Sequence, residues 1–292
     1  MLMYTLIIEN KDGLQLEFNK IGAAYNITNA QGLSPSKNTI NTNTAALIDG
    51  GTFNSAKVNM RSINIAFTIE YPVEANRLNV YRVLRAKEPI TLYYKSNLLD
   101  VFIEGYVETL DVGHFDMKQK ATVSILCPFP YWKNAQQVVN ELSTITNMFH
   151  FPFPYGTPVG SNVAKVVFGA IDTEAKSVVV NNGGIETGLT FELYAKAPVS
   201  NPKIFDYITQ DYIGLNFSME TGDLIIINTM TGQKSVTLIR NAVESNIFNS
   251  LQRGSTWLQL AAGGSVYVYQ VDTGSLQSLE VEIKHFDLYE GV

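Results

Sequence analysis

Residues 126–132 read LCPFPYW, and Cys127 within them is the one cysteine of the chain. A cysteine nucleophile needs a base beside it and a partly exposed, electropositive setting. Here Pro128 follows directly and no charge is adjacent. Ala121, Val123, Ile125 and Cys127 alternate with Lys120, Thr122 and Ser124, so the thiol falls on the apolar face of a strand. That phase assigns Cys127 to a core, as a small hydrophobe. His114, His150 and His285 lie at no metal-ligand spacing from one another or from the cysteine. His285 is in phase with Ile283 on an inward face, and His114 follows Gly113 at a loop tip. Asp206, Asp211, Glu220 and Asp223 could supply the two carboxylates that glycoside hydrolysis requires. All four sit among turn residues, where acids also serve as caps and solvated groups. There is no G-x-S-x-G elbow and no G-x-x-x-x-G-K phosphate loop. The sequence therefore names no catalytic, cofactor-binding or metal residue and calls for no cofactor. Tyr207, Tyr212, Tyr267 and Tyr269 are either platforms for sugar rings or side chains packed between strands. Trp257, in STWLQLAAGG, reads as a core or rim plug. A glycan-binding module for host cell-wall polysaccharide and, on the scattered acids alone, a cell-wall hydrolase remain as readings beside a purely structural role.

The elements that must position these residues are mostly strands. Ile63, Ile65, Phe67 and Ile69 alternate with Asn64, Ala66 and Thr68, and residues 120–127 repeat the pattern. One helix is predicted over 74–87, with Leu78, Tyr81 and Leu84 as its inward stripe and Glu74 and Arg85 suiting its dipole; Pro89 stops it. After Trp132 the chain turns polar, and Pro152, Pro154 and Pro158 rule out a central strand there. Residues 134–160 are read as a linker between domains at 1–133 and 161–292. The second half alternates Leu189, Phe191 and Leu193 with Thr190, Glu192 and Tyr194. It then gives a hairpin over 222–239 turning at Thr231-Gly232-Gln233, and strands at 265–271 and 279–285. The predicted class is mainly β, with two β-sandwich-type domains, the first carrying one α-helix.

Of the 292 residues, 46% are hydrophobic and 16% charged, below the usual quarter, as suits a folded chain whose surface is partly covered by partners. Residues 1–135 carry 13 Lys or Arg against 12 Asp or Glu (+1), and the remainder 8 against 15 (−7). The shift supports two domains, and the absence of a basic run argues against nucleic-acid binding. MLMYTLIIENKDG is read as a first strand and not as a signal peptide. No stretch reaches the roughly 18 apolar residues of a membrane span. The expectation is synthesis in the cytoplasm and no membrane anchor.

In order, the motifs are Asp49-Gly50-Gly51, RSINIAFTIE (61–70), the helix around Leu78 to Ala86 and CPFPYW. Then come NNGGIETGLTFEL (181–193), NPKIFD (201–206), GDLIIINTMTGQKSVTL (222–238), STWLQLAAGG (255–264) and a final LYEGV. Together they resemble the distal tail (Dit) proteins of long-tailed, siphovirus-type phages and prophages of Gram-positive bacteria, over nearly the whole chain. Two positions depart from the family pattern: Gly184 where its N-x-G-D turn has an acid, and Ser265 where Asn is common. The resemblance implies a structural, non-enzymatic tail-tip protein, made in the host cytoplasm and located in the virion. It implies a homo-hexameric ring of first domains, through which DNA passes without being gripped, and a galectin-like jelly-roll second domain. The implied partners are the tail tube protein, the tail-associated hub protein and a receptor-binding protein. On this view LCPFPYW marks a domain end.

Overall fold

The computed structural model describes residues 4–19, 22–44, 49–115, 118–142, 145–147, 169–171 and 176–292. The chain divides into two compact units, Met1–Gln136 with Leu288–Val292, and Gln137–Asp287. No helix among the described residues is long and apolar enough to cross a membrane.

The first unit runs β1 (Tyr4–Asn10), β2 (Gln15–Phe18), β3 (Tyr25–Gln31), β4 (Asn38–Asn43), β5 (Thr52–Val58), β6 (Arg61–Ile69), α1 (Val73–Val83), β7 (Pro89–Ser96), β8 (Asp100–Val112), β9 (Gln119–Cys127) and β10 (Trp132–Asn134). Its main sheet has the order β10-β8-β7-β1-β2-β3-β6-β9, extended beyond β10 by the terminal strand Leu288–Tyr289. The sheet closes on itself because β8 pairs with β7 through residues 100–106 and with β9 through 106–112. A bulge between Val107 and Thr109 bends β8 between these two partners. At the crossing Gly105 has no room for a Cβ, which would meet Cys127 Sγ and Ile125 Cγ2 at 2.8 Å. Period two then fills the inside: Leu6, Ile8, Phe18, Ile63, Ile65, Phe67, Val123 and Ile125 are all buried. Each such side chain contributes roughly 1.5–3 kcal/mol on burial.

The predicted helix forms, but it is shorter and turned. It ends at Val83, and its core-facing side is Val80 and Val83, followed by Leu84 just beyond the helix. Leu78 (55% exposed) and Tyr81 lie on the outer side. Each step of three residues advances about 300°, so two steps leave Leu84 about 120° away from Leu78 around the axis, and the two do not share a face.

In the second unit, Val138–Leu142, residues 176–287 and two short strands (Ile145–Asn147, Gly169–Ile171) build mainly two antiparallel sheets. The six-stranded sheet has Thr190–Ala195 between Leu279–His285 and Leu224–Asn228. The four-stranded sheet has Ser265–Gln270 between Lys176–Val179 and Lys203–Asp206. Both contribute to one core, where Phe191 of the first meets Tyr267 of the second at 5.9 Å, edge to face. The linker reading of 134–160 needs correction at its start. Val138–Leu142 is a strand paired with Leu279–His285, because Val138, Asn140 and Leu142 supply a usable alternation and an open sheet edge awaits them. Residues 148–160 and His150 lie outside the described residues. The second domain's expected end at 292 also shifts: Leu288–Val292 return to the first unit, where Leu288–Tyr289 pairs with β10.

Candidate functional site

Cys127 ends β9 fully buried, and burial pushes its thiol up to about 12. A thiol so held is un-ionised near neutrality and is no nucleophile. Beside it, the LCPFPYW segment is organised by a residue the sequence reading passed over. Arg61 is 2% exposed and opens β6 in phase with Ile63 and Ile65. Its Nε donates to Pro130 O (2.7 Å), and its Nη1 to the carbonyls of Gly32 (2.6 Å), Leu33 (3.2 Å) and Ser34 (2.7 Å). Its Nη2 donates to Glu290 O. The guanidinium also lies 5.8 Å from the Trp132 ring, and Trp132 is wholly buried. One cation thus ties the 32–34 loop, the proline-aromatic knot and the C-terminal residues together. The signal was an arginine in phase with the apolar face of RSINIAFTIE.

His114 is exposed, with Arg77 Nη1 2.9 Å from its Nδ1. His285 is buried. Its Nε2 lies 3.2 Å from Val180 O and 3.3 Å from Asp287 Oδ1, while Nδ1 has no partner among the described residues. Burial lowers its pKa from the ordinary value, partly opposed by Asp287. Asp287 also accepts the backbone N–H of Asn182 (3.1 Å), so it brings a carboxylate to the Asn181–Gly184 turn that lacks one in sequence.

The four candidate acids separate into two pairs. Asp223 is buried against Arg240, which donates through Nε (2.8 Å) and Nη2 (2.5 Å), and Glu220 reaches the same arginine at 3.1 Å. The Arg240 hydrogen bonds hold the Asp223 carboxyl below the usual range. That pair is a structural ion pair. Asp206 and Asp211 instead line one cleft together with Glu186 and Trp257. The tyrosines divide as well. Tyr267 and Tyr269 are core residues whose hydroxyls donate to Gln259 O and to Leu276 O and Leu279 O, whereas Tyr207 is exposed. Trp257 packs partly against the second core, with Phe248 at 5.6 Å. Among the described residues no group of three His, Cys, Asp or Glu is arranged to hold a metal.

Exposed apolar side chains also occur on a hairpin of the first unit. The β4–β5 hairpin is exposed along nearly its whole described length and, among the described residues, pairs with no other strand. Its register puts Ile40 opposite Ala56 and Phe53 opposite Thr42, and Ile40 and Phe53 are 62% and 64% exposed. A lone two-stranded hairpin is marginal in water, and a weakly charged one with free edges is a template for association.

Residues 182–285 match the family model described as siphovirus-type tail component, C-terminal domain (SPP1_Dit). Among solved structures, the Dit protein (gp 19.1) of SPP1, described as a paradigm of the hub adsorption apparatus of phages infecting Gram-positive bacteria, matches with a TM-score of 0.68. The match has 13% identity and covers 97% of this chain and 98% of that one. A chain of the phage P2 baseplate in its activated, calcium-bound conformation matches with a TM-score of 0.52 at 14% identity, over 97% and 98% of the two chains. No curated protein matches the sequence.

Proposed function

We propose, from the premise that this chain is a distal tail protein of the siphovirus Dit family, that it is a structural component of a phage tail-tip baseplate. The carrying observation is the family match over residues 182–285, joined to a shared fold over 97% of the chain. In this reading the first unit forms a homo-hexameric ring in the virion, between the tail tube protein and the tail-associated hub protein. The second, galectin-like unit holds receptor-binding or other baseplate proteins. The exposed Ile40 and Phe53 of β4–β5 support self-association, since both gain from burial against a second copy. DNA passes through the ring without being gripped, in keeping with the near balance of charge over residues 1–135. The protein acts by assembly and not as an enzyme. An inert buried thiol and a paired Asp223 are what such a role tolerates.

Negative-stain electron microscopy with light scattering of the full chain tests this. Six-fold rings are expected, and Ile40→Asp with Phe53→Asp should abolish them while leaving the monomer folded. A chain that stays monomeric even with tube and hub proteins present, or rings that survive both substitutions, would count against the respective parts of the reading.

A further inference from the structure

We infer that the cleft of the second unit binds a sugar residue that is neutral or carries an amine. The cleft encloses about 320 Å³, within the roughly 300–1,000 Å³ range of small-ligand sites. Its working groups are Glu186, Asp206, Thr209, Asp211, Thr256 and Trp257, and no Lys, Arg or His lines it.

Asp206 is the centre of the site. It is 3% exposed. Three donors converge on its Oδ1: the backbone N–H groups of Ile208 (2.8 Å) and Thr209 (3.2 Å) and the Ser265 hydroxyl (2.7 Å). Its Oδ2 meets no donor among the described residues. A carboxylate fixed through one oxygen and open at the other is an acceptor oriented in advance, so little ordering is lost when a ligand hydroxyl arrives. The backbone N–H of Asp206 donates to Asp211 O at 2.9 Å, which holds the second carboxylate on the same turn. Trp257 forms an aromatic wall, steadied by Phe248 and by the Lys234 ammonium 5.4 Å from its ring.

These groups select a ligand rich in hydrogen-bond donors with an apolar flank. Hydroxyl or ammonium groups would donate to Asp206 Oδ2, Asp211 and Glu186, and ring C–H groups would lie against Trp257. Anionic ligands such as phosphates are disfavoured, because they would be desolvated against three carboxylates in a cleft whose lining holds no cation, the Lys234 ammonium being engaged with the Trp257 ring. Such binding does not depend on ring formation.

The test uses the full chain and four probes: the methyl glycosides of glucose, galactose, N-acetylglucosamine and glucosamine. Glycerol phosphate serves as the anionic comparison. Trp132 is wholly buried in the first unit, so a ligand-dependent change in tryptophan fluorescence reports Trp257. Saturation of at least one glycoside in roughly the millimolar range is expected, with none for glycerol phosphate. Asp206→Asn keeps an amide oxygen for the three donors and puts NH₂ where Oδ2 was. Binding should fall at least about tenfold, with melting unchanged. Asp211→Asn, at an exposed position, repeats the test without touching the core. No saturation by any glycoside, equal affinity for glycerol phosphate, or unaltered binding in both variants overturns the inference.

Discussion

In the first unit, the buried charge is Arg61, whose five carbonyl acceptors lie at residues 32, 33, 34, 130 and 290. In the second unit, the buried charges of Asp206 and Asp223 are met mostly by nearby chain: Asp206 by the N–H groups of residues 208 and 209, with the Ser265 hydroxyl as its one distant donor, and Asp223 by the N–H of Glu220 and by Arg240 across a hairpin. Both arrangements satisfy the rule that a buried charge must be hydrogen-bonded. They differ in reach. The arginine joins segments far apart in sequence, so its loss should loosen a whole region. The aspartates set turns, so their loss should stay local.

The largest test of that contrast is Arg61→Met, which strands five carbonyls at once. A loss of about 3–5 kcal/mol is expected in urea unfolding followed through Trp132, with earlier proteolysis of the last residues. An equal loss followed through Trp257 would break the contrast. Gly105→Ala forces a methyl against Cys127 Sγ and Ile125 Cγ2 and should cost about 1–3 kcal/mol, again in the first unit.

Acid titration sharpens the second half of the comparison. The folded pKa of His285 is lowered, so its contribution is whole above the unfolded value of about 6.5. It is lost as pH falls below that value toward the folded pKa, because the unfolded chain takes up the proton first. Asp223 is also lowered, so its contribution is whole above an unfolded pKa of about 3.9 and fades as pH falls through the folded value. Melting of the second unit should therefore decline in two steps on acidification. His285→Gln should remove the upper step and Asp223→Asn the lower one. A single step unaffected by either variant would refute the assignment.

Two smaller effects complete the series. Cys127→Ser should cost about 1–2 kcal/mol by burying a hydroxyl, and the native thiol should resist a disulfide reagent until the chain unfolds. Leu78→Ser should change the stability of the isolated chain by less than about 0.5 kcal/mol, whereas Val80→Ala on the inner side should cost more. Equal costs would restore the stripe read from sequence.

The strands RSINIAFTIE and KATVSILC were readable because alternation is a local property that the pleat turns directly into inside and outside. The helix stripe misled because Leu78 and Tyr81 are apolar without being inward, and spacing alone does not say which side of a helix meets a sheet. Val138–Leu142 looked like linker because its pattern is weak; an edge of Leu279–His285 made it a strand. The cleft was half visible. Asp206, Asp211 and Trp257 were each noticed, but nothing in their spacing brings residue 257 beside residues 206 and 211.

By itself, then, the sequence determined the mainly β class, the single helix, the inward Cys127 and the turn at Thr231–Gln233, because each follows from side-chain phase or turn chemistry over fewer than about ten residues. Tertiary structure alone decided that β8 serves two partners, that Leu288–Val292 return to the first unit, that Arg61 gathers three segments, and that two acids and a tryptophan share a cleft. Those contacts join residues tens to hundreds of positions apart, and only the closing of sheets and the packing of a common core fixes which of many such pairs meet.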